Sequence, residues 1–176
     1  MKFFETELKD AYVIEVEKNI DERGFFARSW DINEFKKNKI NEKIVQCNIS
    51  FNKKIGTLRG MHFQKKPYQE SKLVRCTKGK IYDVIIDLRK ESDTFKKWTS
   101  IELSENNFKM LYVPKGFAHG FQTLEDNTEV FYQMSEFYKP KYSSGYRWDD
   151  NIFKIKWPIT PPIISDKDLL YKPFIN

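Results

Sequence analysis

The chain has little of what usually announces a catalytic chemistry. Its two cysteines, Cys47 and Cys76, stand far apart and form no CxxC pair. Neither a disulfide framework nor a thiolate metal site is expected from them, and free thiols are. Histidine is equally scarce, with His62 and His119 alone. Gly/Ser runs, low-complexity blocks and repeats are missing, so residues 1–176 read as one domain, long enough to bury a core without staples. Apolar runs such as VIID and MLYV are far too short to span a bilayer, and the start, MKFFETELKD, has no apolar signal core. A cytoplasmic protein with no membrane partner is the expectation. GxGxxG, Walker and GxSxG sequences are absent as well, which removes the common dinucleotide, phosphate-loop and serine-hydrolase readings.

What is present is charge and β pattern. The net charge is +6. It is spread as KK doublets among acids, with no long basic tract or recognition helix, so a solvated surface is favoured over a nucleic-acid interface. The same charge suits small anionic ligands, because a basic cleft concentrates phosphates.

Period-two alternation runs through the chain. AYVIEVEK (11–18) reads as a strand, and 45–64 as two strands around a Lys-rich turn. KLVRCTKGKIYDVIIDLR (72–89) reads as the clearest hairpin, turning at Gly79, with further pairs over 98–114 and 118–138. One short helix is expected at 31–38 with Asp31 as its cap, and the Pro-rich tail from 157 reads as irregular with a short helical turn near SDKDLL. Short strands with closely spaced turns predict an all-β sandwich or barrel.

The ionisable residues fall in unusual places. Arg59, His62, Lys72, Asp83, His119 and Tyr132 all lie within or at the ends of predicted strands. Inward-pointing polar residues in a barrel mouth make a pocket rather than a core. Arg59 and His62 differ by an odd number, so an ideal strand aims them to opposite faces; a bulge at Gly60 would bring both to one face. For Lys72 and Asp83 a cross-strand charge pair is the plain reading, and for Tyr132 a core aromatic. The PxGxxH spacing of Pro114, Gly116 and His119 resembles the second motif of the cupin superfamily. The first cupin motif usually holds HxH and Glu, whereas GMHFQ holds one His, so the expected site is metal-free.

Six blocks carry a closer resemblance: DERGFFARSW, GTLRGMHFQ, KLVRCTKGKIYDVIIDLR, YVPKGFAHGFQTLED, VFYQMSEFY and GYRWDD. Together, and in this order, they resemble the cupin-fold epimerases of nucleotide-activated 4-keto sugars. The resemblance implies a jelly-roll barrel with short flanking helices, no cofactor, a homodimer and a nucleotide-diphosphate sugar substrate. It implies His62 as general base, Asp168 as the carboxylate that orients it and favours its charged form, Lys72 as the cation on the enolate oxygen and Tyr132 as the opposing acid. Asp83 is implied as a supporting acid, and Arg59 and His119 as phosphate-binding groups. Gln46, Asn48 and Tyr138 are implied near the base and phosphates. Arg23 is implied as a diphosphate contact from the neighbouring subunit, with Phe26 beside it on the same segment as a further binding residue and, with Phe25 and Trp30, as part of an apolar interface. Arg28 stands where the family carries an acid near the thymine, and the stretch from Asn48 to Arg59 looks longer than usual. That charge reversal raises the expectation of another nucleotide, such as GDP, or of a heptose. Inversion at carbons 3 and 5 is the leading expectation. The alternatives are carbon 3 alone, ketoisomerisation and a non-catalytic sugar-nucleotide-binding cupin.

Overall fold

The structure is a computed structural model and describes residues 1–41 and 43–175. Two sheets face each other. One is ordered β1-β2-β10-β7-β12-β5, from Lys2–Glu5, Tyr12–Glu15, Lys109–Val113, Lys72–Lys78, Thr128–Met134 and Gln46–Asn52. The other is ordered β13-β6-β11-β8-β9, from Ser143–Gly145, Thr57–Gln64, Phe117–Thr123, Lys80–Asp87 and Trp98–Ser104, with β14 (Ile163–Ile164) parallel to β6. A separate hairpin, β3 (Lys18–Asp21) with β4 (Gly24–Ala27), forms an arm. This is the all-β jelly roll expected of a cupin.

The predicted strands are present, but the predicted hairpins are not. β7 and β8 do not pair: β7 lies between β10 and β12, and β8 between β11 and β9. Gly79, at φ +73°, makes a corner from one sheet to the other rather than a hairpin turn. β5 and β6, β9 and β10, and β11 and β12 are likewise split between sheets. A corner and a hairpin need the same short polar turn, so alternation alone cannot tell them apart.

Each sheet is covered on its outer face, which is why β8 is buried almost throughout rather than alternating. Between the sheets lie Val74, Cys76, Ile81, Ile85, Leu111, Phe117, Phe121 and Val130. The outer face of the first sheet, through Ile14, Leu73 and Met110, packs under Phe35 of α1 (Ile32–Lys37), whose cap Asp31 accepts from Asn33 N at 2.8 Å. The outer face of the second sheet, through Leu58, Met61, Val84, Ile86 and Ala118, packs under Phe153 and Trp157 of the C-terminal segment. That segment carries α2 (Asp166–Leu169).

Candidate active site

Between the sheets, at the end not filled by apolar side chains, lie two adjoining lobes of about 340 and 460 Å³. Both are lined by His62, Lys72 and Tyr132. His62 comes from β6 of one sheet, while Lys72 (β7) and Tyr132 (β12) come from the other, so base and acid candidates face each other across the cavity.

The bulge expected at Gly60 exists. Pairing runs His119↔His62 and then Phe121↔Arg59, so β6 carries one extra residue there. Leu58 and Met61 point outward into the covered face, and Arg59 and His62 both point into the cavity. Gly60 adopts φ +154°, and a Cβ there would sit 2.7 Å from the Gly120 Cα on β11, so the close strand contact requires glycine.

His62 Nε2 lies 2.7 Å from Asp168 Oδ1. The second oxygen of Asp168 accepts from Gly60 N at 3.3 Å, and Ser165 caps α2 by accepting from Asp168 N at 3.2 Å. An ionised carboxylate only accepts, so the neutral imidazole carries its proton on Nε2 and leaves Nδ1 as the basic nitrogen. Burial among protein atoms holds His62 below the ordinary histidine value and outweighs Asp168, which pushes upward; Lys72 and His119 add to the lowering. Asp168 thus favours the charged form, as the resemblance implies, while burial keeps the net shift downward. The ring is hemmed in by protein, yet 37% of the side-chain surface stays open to the cavity. Burial likewise raises the Tyr132 phenol, against Arg59, which lowers it, so Tyr132 remains protonated near neutrality.

Lys72 and Asp83 do not pair with each other. Lys72 Nζ sits 3.3 Å from Glu70 Oε1, with both side chains buried. Asp83 is fully buried on β8, holds His119 Nε2 at 2.7 Å with Oδ1, and leaves Oδ2 without a partner among the described residues. Arg59 Nε donates to Asn52 Oδ1 at 2.7 Å. Gln46 Nε2 donates to Asn48 Oδ1 at 3.1 Å, and Gln46 Oε1 accepts from Tyr138 N at 3.1 Å, so these three form one wall of the smaller lobe. The larger lobe takes Arg59 and His119.

The arm residues are placed elsewhere. Arg23, 84% exposed and paired with Asp21, lines neither lobe, nor do Phe26, 67% exposed, and Arg28, paired with Asp31 at 3.5 Å. Sequence reasoning missed Glu70, Asn52 and Tyr171. Asn52 lies on β5 at the same parity as Gln46 and Asn48, which is a usable signal; Glu70 and Tyr171 have none.

Fold and cavity define a class: a cupin barrel with acid–base side chains from opposing sheets in its mouth. The sequence profile of the dTDP-4-dehydrorhamnose 3,5-epimerase family matches residues 5–175, and the chain belongs to that family. It is 40% identical to the dTDP-4-dehydrorhamnose 3,5-epimerase of Shigella flexneri, over 100% of this chain and 97% of the relative. It is 43% identical to that of Methanothermobacter thermautotrophicus, over 98% and 94%. Among solved structures it resembles the Bacillus anthracis dTDP-4-dehydrorhamnose 3,5-epimerase with TDP and PPi bound, at TM-score 0.95 and 44% identity, covering 98% of this chain and 99% of that one. The Legionella pneumophila dTDP-6-deoxy-D-glucose-3,5-epimerase in complex with dTDP-4-keto-L-rhamnose matches at TM-score 0.91 and 32% identity, over 98% and 92%.

Proposed function

We propose that this chain inverts carbons 3 and 5 of a dTDP-linked 4-keto-6-deoxyhexose, as one catalytic domain over residues 1–176. The observation that carries the reading is the placement of His62 and Tyr132 on opposite sheets with Lys72 at the same junction. The ketone at carbon 4 acidifies the neighbouring C–H bonds. His62 Nδ1 takes the proton, and the bond's electron pair passes into the ketone to give an enolate. The Lys72 ammonium, held by Glu70, faces the enolate oxygen, where fixed charge contributes most. Tyr132 returns a proton to the other face, the phenolate regains its proton from solvent, and the His62 imidazolium releases the proton it took to solvent. Carbon oxidation state is unchanged, so the chemistry needs no redox cofactor. His62 suits the role because its lowered pKa keeps it neutral near pH 7. Asp168 favours the imidazolium as it forms.

Arg59 and His119, the latter supported by Asp83, are assigned to the phosphates, and Gln46, Asn48 and Tyr138 to the wall near the base and the phosphates. We propose a homodimer in which Arg23, Phe26 and Arg28 serve the partner's cavity. Supporting this, they line neither lobe of their own chain, and edge strand β5 exposes Ile49 and Phe51 beside the cavity. A fully active monomer in sedimentation would refute that assembly. The relatives with bound ligands carry thymidine diphosphates, which favours dTDP over the GDP suggested by Arg28.

The test is incubation with dTDP- and GDP-linked 4-keto-6-deoxyglucose in deuterated water, read by mass spectrometry. Two deuteria in the dTDP sugar are expected. One deuterium means a single carbon is inverted, none removes the epimerase reading, and turnover of the GDP sugar alone restores the Arg28 argument.

A further inference from the structure

The mechanism above does not use Tyr171, yet its side chain is seated on the proposed base. The Tyr171 and His62 rings meet edge to face, with centroids 5.7 Å apart and planes at 68°. Tyr171 follows α2 three residues after Asp168, and its N–H donates to Asp168 O at 3.4 Å. One turn of chain therefore brings two contacts to a single imidazole: the carboxylate on Nε2 and the aromatic ring on the ring plane.

The seat is built into the facing strand. Gly145 on β13 is in register with His62. A Cβ at Gly145 would lie 2.5–2.7 Å from Cε2, Cδ2 and Cζ of Tyr171. The backbone of Gly145 does not lie in the left-handed region, so space, not conformation, demands glycine there. The Tyr171 hydroxyl has no hydrogen-bond partner among the described residues, so the ring is the part that is fixed.

We propose that Tyr171 is a positioning residue for the proton transfer: its ring holds the His62 imidazole against Asp168 and keeps water from that side of it. The proposal rests on His62 being the base. The other charged or titratable groups around His62 are Asp168 and Lys167 from α2, Lys72 from β7 with Glu70 beside it, His119 from β11, Tyr132 from β12 with Tyr138 beyond it, and Arg59 from β6. None of them lies on α2's continuation, so removal of Tyr171 admits water while leaving those charges in place.

The chain's two histidines make the test direct, since each gives one imidazole signal in NMR titration. In Tyr171→Ala the His62 midpoint is expected to rise toward the ordinary histidine value as water replaces the ring. Turnover is expected to fall between about tenfold and a hundredfold with KM changed little, as a loosened base is mispositioned. Tyr171→Phe is expected to restore both the titration and most of the turnover. An unmoved His62 midpoint in Tyr171→Ala, or a Phe variant that behaves like the Ala variant, overturns the proposal. The titration is read without substrate, so it stands apart from the base assignment, which fails if His62→Asn keeps its turnover, and from the epimerase reading, which fails if the parent protein takes up no deuterium.

Discussion

Asp168→Asn separates orientation of the base from its charge. The substitution is nearly isosteric, and an amide carbonyl can still accept from His62 Nε2. What disappears is the negative charge 2.7 Å from the ring. In the ground state His62 is neutral and loses little. As it takes the substrate proton it becomes an imidazolium, and the missing carboxylate is felt there. A hydrogen bond to a charged group contributes about 1.5–3 kcal/mol. At about 1.4 kcal/mol per tenfold in rate, kcat should fall roughly 10- to 150-fold. The open side of His62 is solvated, which places the loss toward the lower end. The pH direction follows from the causes of the His62 shift. Asp168 raises this pKa and burial lowers it, so removing Asp168 lowers it further. The acid limb of kcat/KM, already below the ordinary histidine value, should move to still lower pH while the plateau drops. Tyr171→Ala moves the same limb upward, so the two variants are distinguishable by sign. Steady-state kinetics from pH 4.5 to 8 would read both quantities. A plateau loss below about threefold, or an acid limb displaced upward, would refute the assigned role of Asp168.

Two further outcomes follow. Tyr132→Phe should melt as the parent does, since the hydroxyl has no hydrogen-bond partner among the described residues, yet it should take deuterium into substrate with net inversion reduced about 10²- to 10⁴-fold; inversion that keeps pace with exchange would show that another group returns the proton. Gly60→Ala should lose about 1–3 kcal/mol in urea denaturation from its φ of +154° alone, with the 2.7 Å approach to Gly120 adding to it, and a variant of parental stability would mean that the β6–β11 bulge relaxes freely.

Strand positions were legible because alternation is a local signal, and the cap at Asp31 because it needs only three neighbouring residues. Sheet membership was not. The 72–89 segment has every local mark of a hairpin, yet β7 and β8 join different sheets, because burial on both faces of each sheet decides the pairing. Within the site, the Arg59–Gly60–His62 geometry could be inferred from parity plus one glycine. Asp168 lies 106 residues from His62 and no spacing rule reaches it; only family resemblance pointed there. Glu70 was missed because the obvious partner for Lys72 was Asp83, across a hairpin that does not exist.

The same tail that covers the second sheet also carries Asp168, the carboxylate bonded to His62, so packing and the proposed chemistry share one set of contacts. Gln122, fully buried on β11, clasps the tail at both ends of its amide: Nε2 donates to Ile159 O at 2.7 Å and Oε1 accepts from Ile159 N at 3.0 Å. Trp98 Nε1 donates to Phe153 O at 2.7 Å, and Trp157 Nε1 to Trp148 O at 2.8 Å. Ile163 then donates to Gly56 O at 2.9 Å, and β14 runs parallel to β6 directly before α2 begins. Each polar clasp lies beside apolar burial of Phe153 and Trp157, so the tail cannot detach in part without exposing both kinds of group. The position of Asp168 is therefore set from two directions: from β6, through the Gly60 N–H, and from the tail, through Ser165 and the anchored β14. A helix of four residues has too little intrinsic stability to hold a carboxylate in place alone. Its precision comes from the sheet it covers, which explains how an otherwise irregular, proline-rich stretch of chain can hold a carboxylate against His62.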